Sequence, residues 1–169
     1  PYALTTSNGT SALHLALLGV GLQPGDEVIV PVSTFGATAN AVIHTGCVPV
    51  FVDIEPDSWC LDPALLEQAI TPKTKAILPV HLYGHPADMP AICSIAERYQ
   101  LKIIEDCAES LGASIDGRLS GTMSDVSCFS FFSNKIITTG EGGMVMTQDP
   151  DIHRRMRQYR DHGTSLTRK

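Results

Sequence analysis

Short runs of β-branched and apolar residues alternate along this chain with longer stretches in which apolar residues recur at helical spacing. The short runs predict strands at residues 27–31, 48–53, 75–80, 101–106, 126–131 and 143–147. The longer stretches predict helices at residues 10–18, 36–45, 63–70, 88–99 and 149–160. Strands that alternate with helices indicate an α/β fold, in which helices cover both faces of a mostly parallel sheet.

Composition narrows the class of protein without identifying its chemistry. Of the 169 residues, 43% are hydrophobic and 18% are charged, which is typical of a globular domain. The net charge of −6 argues against a nucleic-acid partner, because phosphates require a basic surface. No apolar run approaches the roughly 18 residues that cross a bilayer, so no membrane partner is expected. The five cysteines form no CxxC pair, which fits reduced thiols in a cytoplasmic protein better than disulfides or zinc.

In an open parallel sheet, ligands bind beyond the carboxyl ends of the strands, where helices begin. The segment 7–11 (SNGTS) precedes the first predicted helix. Thr10 and Ser11 offer hydroxyl groups and free backbone N–H groups at the positive end of that helix, an arrangement that binds phosphate. An ordinary helix cap explains the same residues, so this segment alone indicates no particular ligand.

Two carboxylates end the fourth predicted strand. Strand alternation places Glu105 and Asp106 on opposite faces of the sheet. Asp106 is a candidate for the fixed negative charge that a cationic ring nitrogen needs, and an Asp that caps the next turn is the alternative. No histidine lies near these carboxylates in the sequence, and Gly84 and Pro86 place His81 and His85 on a turn rather than on one helix face. No metal site is therefore expected.

A single lysine, Lys135, lies between an aromatic strand and a glycine-rich bend. No other cation occurs within ten residues on either side. A lysine that is shielded from water loses its proton more readily and can attack an aldehyde. Together with the helix start and the acidic strand end, Lys135 matches the needs of pyridoxal 5′-phosphate (PLP). The cofactor's phosphate needs a helix N-terminus, its ring nitrogen needs a carboxylate, and its aldehyde needs a lysine.

At these residues the chain resembles the DegT/DnrJ/EryC1/StrS family of PLP-dependent sugar aminotransferases. The matching stretches are residues 7–17, 24–41, 49–53, 79–89, 104–113 and 129–144, which together cover nearly the whole chain. The resemblance implies a type I PLP-dependent transferase fold, like that of aspartate aminotransferase. It also implies that residues 1–169 are an incomplete PLP-binding large domain, without the family's N-terminal segment and C-terminal small domain.

The resemblance further implies a role for individual residues. Thr10, Ser11 and Ser130 would bind the cofactor phosphate, Phe35 would stack on the pyridine ring, Asp106 would pair with the ring nitrogen, and Lys135 would form the Schiff base. A dehydratase branch of the family carries His at the position of Lys135. Glu109 occupies a position where many members have Gln or His facing the phenolic oxygen of the ring. The carboxylate of Glu109 and the ionised phenolic oxygen would then be two negative charges close together, so we expect one of the two groups to be protonated or solvated.

Glu109 and the run 131–143 look closest to the perosamine synthetase branch, whose members transfer an amino group to C4 of GDP-4-keto-6-deoxymannose. The resemblance thus implies a PLP-dependent aminotransferase that takes the amino group from glutamate, releases 2-oxoglutarate and aminates a sugar nucleotide for polysaccharide biosynthesis. It also implies a homodimer with a shared active site. Alternatives are another 3- or 4-aminotransferase of the family and a non-catalytic relative, although Lys135 and Asp106 are intact. A nucleotide-binding domain is disfavoured because no GxGxxG follows an early strand.

Overall fold

A seven-stranded sheet forms the centre of the computed structural model, which describes residues 1–164. In chain order the strands are β1 (Tyr2–Thr6), β2 (Glu27–Pro31), β3 (Val48–Val52), β4 (Thr74–Ile77), β5 (Lys102–Asp106), β6 (Ser114–Ile115), β7 (Arg118–Leu119), β8 (Val126–Ser130) and β9 (Gly143–Thr147). The sheet has the order β1-β9-β8-β5-β4-β2-β3, and β6 pairs with β7 in a separate hairpin. The large domain was predicted to span residues 1–169, and the last five of these residues, 165–169, lie outside the described part of the chain.

Helices cover both faces of this sheet. They are α1 (Gly9–Gly19), α2 (Ala37–His44), α3 (Leu66–Ala69), α4 (Met89–Tyr99) and α5 (Pro150–Arg160), with 3₁₀ turns at Pro63–Leu65 and Leu82–Gly84. Helix α1 packs against α2 and α5 on one face. Helix α4 packs on the other face, where Cys93 approaches the carbonyl group of Met123. Within residues 1–164, no helix has both the length and the apolar character that crossing a membrane requires.

The predicted α/β architecture with a mostly parallel sheet is confirmed. Strands β3, β2, β4, β5 and β8 are parallel neighbours, and β9 alone is reversed, since it pairs antiparallel with both β8 and β1. The segment 131–142 turns the chain straight back from β8 to β9 without a crossover helix, which requires an antiparallel pair. The central strands read as apolar runs because helices bury them from both sides, as at Val28, Ile29 and Val30.

The strand predicted at 75–80 is the shorter β4, and the hairpin of β6 and β7 was not predicted. Two further predictions differ from the structure. Strand β1 was not predicted, because the sequence YALTT has no apolar run and buries only Leu4. The predicted helix at 63–70 is a 3₁₀ turn followed by the single turn α3, since Ile70 already has extended backbone angles. None of these differences changes the order of the central strands, so the carboxyl ends of β5 and β8 still meet at one edge of the sheet.

One glycine lets three backbone segments meet at this edge. Gly143 begins β9, pairs with Thr6 of β1 and Ser130 of β8, and leaves no room for a Cβ, which would overlap the carbonyl group of Asn8. Because that neighbour is backbone, no side-chain rotation relieves the overlap. We expect Gly143→Ala to lower the free energy of unfolding by about 1–3 kcal/mol, as overpacking does. Urea denaturation of the cofactor-free protein measures this change.

Gly36→Ala is the matched control for this substitution. A Cβ at Gly36 would find its nearest neighbour at 3.9 Å, so the change should stay within about 0.5 kcal/mol. Equal stabilities of the two variants would show that the backbone at Gly143 is not closely packed.

Candidate active site

A cavity of about 360 Å³ lies beyond the carboxyl ends of β5 and β8. Six of the seven predicted site residues line it: Thr10, Phe35, Asp106, Glu109, Ser130 and Lys135. The seventh, Ser11, does not line the cavity, because it lies one position further along α1, where its hydroxyl group contacts the hydroxyl group of Ser7 at 3.1 Å. Residues up to 125 positions apart in the chain (Thr10 and Lys135) therefore share one site.

The start of α1 forms one wall of the cavity. Asn8 caps the helix, since its Oδ1 accepts a hydrogen bond from the Ser11 N–H at 2.8 Å. The N–H groups of Gly9 and Thr10 come before the first intrahelical acceptor and face no helical carbonyl group. A Cβ at Gly9 would lie 2.8 Å from the Cβ of Ser130, so glycine allows the helix start to approach that side chain closely. Two elements thus bring N–H and hydroxyl donors together, as an anion requires.

Asp106 lies at the floor of the cavity, only 5% exposed. Its Oδ1 accepts a hydrogen bond from the Ala108 N–H at 3.1 Å, and its Oδ2 accepts one from the Thr38 hydroxyl group at 3.2 Å. Burial raises the pKa of Asp106 although both hydrogen bonds oppose the change. Within residues 1–164 no cationic side chain forms an ion pair with it. A buried carboxylate without a cationic partner among the described residues favours a ligand that carries a positive charge.

Thr38, which donates a hydrogen bond to Asp106, was not among the residues predicted from the sequence. Thr38 is fully buried in the first turn of α2, and its hydroxyl group also contacts the Thr34 hydroxyl group at 2.8 Å. The available signal was its position at the start of α2, the helix that follows β2. Its partner is 68 residues away, so only the fold reveals the contact.

Lys135 and Glu109 form an ion pair across the cavity. The Nζ of Lys135 lies 3.1 Å from Oε1 of Glu109, and the Lys135 side chain is only 18% exposed. The Oε2 of Glu109 accepts a second hydrogen bond from the Tyr83 N–H at 2.8 Å. Glu109 therefore connects the amine of Lys135 to the loop that follows β4.

Glu105 points away from the cavity, which confirms the prediction that it and Asp106 face opposite sides of β5. No histidine lies near these carboxylates in the sequence, but the fold brings His81 beside Glu105. The Nε2 of His81 lies 3.0 Å from Oε2 of Glu105, because β4 and β5 are neighbours in the sheet and their ends are adjacent. The same carboxylate accepts hydrogen bonds from the N–H groups of Gly121 at 2.7 Å and Met123 at 2.9 Å. Cys107 lies close by, and burial raises the pKa of its thiol well above the ordinary value.

The charges that line the cavity are mostly negative. Asp106, Glu109 and Glu141 contribute carboxylates, and within the described residues Lys135 is the only lysine or arginine among the lining side chains. An anionic group at the start of α1 would consequently be bound by N–H and hydroxyl donors rather than by an arginine.

The sequence of this chain is similar to those of known proteins over nearly its whole length. A family model described as the DegT/DnrJ/EryC1/StrS aminotransferase family matches residues 1–169. The chain is 52% identical over 168 residues to a GDP-perosamine synthase of Caulobacter vibrioides, covering 99% of the chain and 45% of the relative. It is 51% identical over 162 residues to a UDP-N-acetyl-3-dehydro-alpha-D-glucosamine 3-aminotransferase of Acidithiobacillus ferrooxidans, covering 95% of the chain and 44% of the relative.

Solved structures also resemble this chain. The structure of NtdA from Bacillus subtilis, solved with bound cofactor PMP, superimposes with a TM-score of 0.94 at 43% sequence identity. That match covers 100% of this chain and 38% of the solved one. The chain thus spans less than half the length of the relatives it matches.

Proposed function

The chain belongs to the DegT/DnrJ/EryC1/StrS aminotransferase family, and we propose that the whole protein is a PLP-dependent aminotransferase acting on a keto-sugar nucleotide. The observation that carries this proposal is the meeting of Lys135, Asp106 and the start of α1 in one cavity. Each supplies what one part of PLP requires, and no two of them lie in the same element of secondary structure.

The residues of the cavity fit the phosphate, the ring nitrogen and the aldehyde of PLP. The N–H groups at the start of α1, with the hydroxyl groups of Thr10 and Ser130, suit the phosphate. The buried Asp106, which has no cationic partner within residues 1–164, suits a protonated ring nitrogen. Lys135 suits the aldehyde. Phe35 is 78% exposed and lines the cavity, so its ring offers an apolar face to a flat ligand.

The chemistry assigned to each side chain follows from these positions. When bound, PLP supplies an aldehyde that links to amines and a ring that draws electrons from the substrate carbon. Lys135 would hold the cofactor through its Nζ, and its free amine would carry a proton to and from the substrate carbon as a general base. Asp106, oriented by Ala108 and Thr38, keeps the ring nitrogen protonated. Glu109 orients the amine of Lys135 whenever that amine is free.

The role of Glu109 gives a direct prediction about cofactor capture. The negative charge of Glu109 holds the Nζ of Lys135 in an ion pair, which must open before the amine can reach an aldehyde. Glu109→Gln keeps the shape of the side chain and removes that charge, so the Lys135 amine should capture PLP about two to five times faster at neutral pH, the effect of a partly exposed ion pair. Stopped-flow absorbance after mixing cofactor-free protein with PLP measures the rate.

A suitable control is Glu67→Gln, which removes the carboxylate of an exposed ion pair with Arg98. The capture rate of this variant should equal that of the wild type. If Glu109→Gln captured PLP more slowly, Glu109 would be a donor or anchor for the cofactor rather than a partner of the free amine.

For the substrates, we assign glutamate as the amino donor and a GDP-linked 4-keto-6-deoxy sugar as the acceptor. Support comes from the 52% identity to a GDP-perosamine synthase. A UDP-linked 3-keto sugar is the second candidate, because identity to a UDP-sugar 3-aminotransferase is 51%. Both acceptors share a diphosphate, and the described part of the cavity supplies only one cation for it.

That shortage of positive charge supports a homodimer in which a second copy of the protein completes the site. Ile136 and Ile137, beside Lys135, are both more than half exposed and offer an apolar surface for such a partner. The five free cysteines agree with a cytoplasmic location.

An amino-transfer assay with the whole protein tests the proposed function. The protein is incubated with PLP, glutamate and a panel of GDP-, UDP- and dTDP-linked 3-keto and 4-keto sugars. We expect an amino sugar and an equal amount of 2-oxoglutarate, with the highest kcat/KM for the GDP-linked 4-keto sugar. A protein that captures PLP but aminates no member of the panel would contradict the substrate class, and one that captures no PLP would contradict the cofactor.

A further inference from the structure

His81 braces the loop 81–87, which connects β4 to α4 beside the cavity. Its side chain is 0% exposed. The ring Nδ1 lies 3.0 Å from the backbone nitrogen of Ala87, at the far end of the loop. The ring Nε2 lies 3.0 Å from Oε2 of Glu105 on the neighbouring strand. The imidazole of His81 therefore connects the two ends of the loop and also connects the loop to strand β5.

These contacts specify the tautomer of His81. The Ala87 N–H can only donate, so Nδ1 must accept and carries no proton. Nε2 then carries the proton and donates it to Glu105. Protonation of both nitrogens would place an N–H group against the Ala87 N–H. Both ring nitrogens are thus engaged, which argues against a metal at the neighbouring group of His81, Glu105 and Cys107.

Glu105 is suited to receive that hydrogen bond as an ionised carboxylate. Burial opposes its ionisation, but the hydrogen bonds from His81 and from the N–H groups of Gly121 and Met123 outweigh burial and lower the pKa of Glu105. A charged acceptor strengthens the bond from His81 and holds the ring in one orientation.

The braced loop in turn holds Glu109. The Tyr83 N–H donates to Oε2 of Glu109 at 2.8 Å, and Tyr83 has a φ of 52°, a left-handed conformation that is costly for a residue with a side chain. A Cβ at Gly84 would lie 3.3 Å from the carbonyl oxygen of Glu109, so the loop also packs closely on its backbone. The backbone N–H of His81 donates to the carbonyl group of Asp106 at 3.1 Å.

We propose that His81 is a positioning residue for Lys135: as the neutral Nε2–H tautomer, it holds the loop 81–87 in the strained conformation that directs Glu109 toward Nζ of Lys135. His81 does not line the cavity and acts only through this loop. The effect on turnover rests on the proposed function, whereas the tautomer and the contact between the loop and Glu109 do not.

Two substitutions separate the two hydrogen bonds of the ring. Asn places an oxygen near the position of Nδ1, so His81→Asn retains an acceptor for the Ala87 N–H. Gln reaches toward Glu105, so His81→Gln retains that bond but leaves the loop unbraced, and His81→Leu removes both. We expect kcat to fall about 10- to 100-fold in the Gln and Leu variants, as misplacement of a reacting group by about an ångström does. His81→Asn should keep most of the activity, with KM for the keto sugar unchanged in all three.

Ile152→Ala controls for general destabilisation. Ile152 is buried in α5, far from the loop, so this variant should lose stability and keep kcat at a temperature where it is folded. If activity in the His81 series followed the melting temperature alone, or if the Gln variant were as active as the wild type, the positioning role would be excluded.

Two readouts on the cofactor-free whole protein do not depend on catalysis. Nitrogen-15 NMR of labelled histidine should show one buried ring with a proton on Nε2 and none on Nδ1. Hydrogen exchange at the Tyr83 amide should be slow in the wild type and His81→Asn, and at least about tenfold faster in His81→Gln, because an unbraced loop opens more often. A proton on Nδ1, or equal exchange in these proteins, would overturn the proposal. If both readouts agree with it but Lys135 captures no PLP, only the proposed function fails.

Discussion

Lys135→Ala is expected to abolish amino transfer, with a loss of kcat of at least about 10²–10⁴-fold, the usual contribution of a positioned general base. Among the described residues the Lys135 Nζ forms a hydrogen bond only with Glu109, at a partly exposed site, so the variant should fold. Its melting temperature without cofactor should lie within a few degrees of the wild type. Steady-state production of 2-oxoglutarate from glutamate and the keto sugar measures the loss.

Lys102→Ala is the control for this substitution. Lys102 also pairs with a carboxylate, Asp125, but it lies at the opposite end of β5 from Asp106. Its removal should leave kcat unchanged. If Lys135→Ala retained more than a few per cent of wild-type turnover while Lys102→Ala did not, the amine assignment would have to be reversed.

Asp106→Asn should lower kcat without lowering the stability of the folded protein. Loss of the charge that faces the ring nitrogen should lower kcat by about 10²–10³-fold, as removal of one preorganised electrostatic contact does. The amide oxygen of the new side chain can still accept the hydrogen bond from the Ala108 N–H, its NH2 group can donate to the Thr38 hydroxyl group, and the side chain carries no buried charge. The cofactor-free variant should therefore be at least as stable as the wild type at neutral pH.

The pH dependence of that difference has a definite sign. Burial raises the pKa of Asp106 above its unfolded value, so the folded state holds this proton more tightly than the unfolded state does. Stability of the wild type must then fall as the pH rises from the unfolded pKa through the folded pKa, and stay reduced above it. The amide of the variant has no such proton, so the stability advantage of Asp106→Asn should grow across the same window.

Urea unfolding of the cofactor-free proteins at several pH values measures this advantage, with Asp53→Asn as an exposed control. A variant that lost stability in parallel with activity would make Asp106 a structural anchor of the loop after β5 rather than the partner of a cationic ring.

Hydrophobic periodicity was sufficient to predict the central elements of the fold. Strand β5 was recognised as an apolar run, and alternation placed Glu105 and Asp106 on opposite faces, as the structure confirms. Periodicity contains no information about which strands are neighbours or which way a strand runs. The reversal of β9 and the position of β1 beside it could not be predicted for this reason.

The same limit applies to the candidate site. Residue types and their order in the sequence pointed to Thr10, Asp106 and Lys135, whereas Phe35, Glu109 and Ser130 were predicted only from the resemblance to the family. The sequence did not identify the contacts between them. Thr38 reaches Asp106 and His81 reaches Glu105 only after the strands have assembled. Glu109 was expected to face the ring oxygen of the cofactor, and its ion pair with Lys135 is a property of the assembled cavity.

The most direct test of the central claim is to identify the lysine that holds the cofactor. The wild-type whole protein is loaded with PLP, reduced with borohydride, digested and mapped by mass spectrometry. We expect one modified peptide, with the cofactor mass on Lys135 and none on Lys73, Lys75 or Lys102, which are all exposed. Attachment to any other lysine, or PLP that binds while Lys135 stays unmodified, would contradict the account.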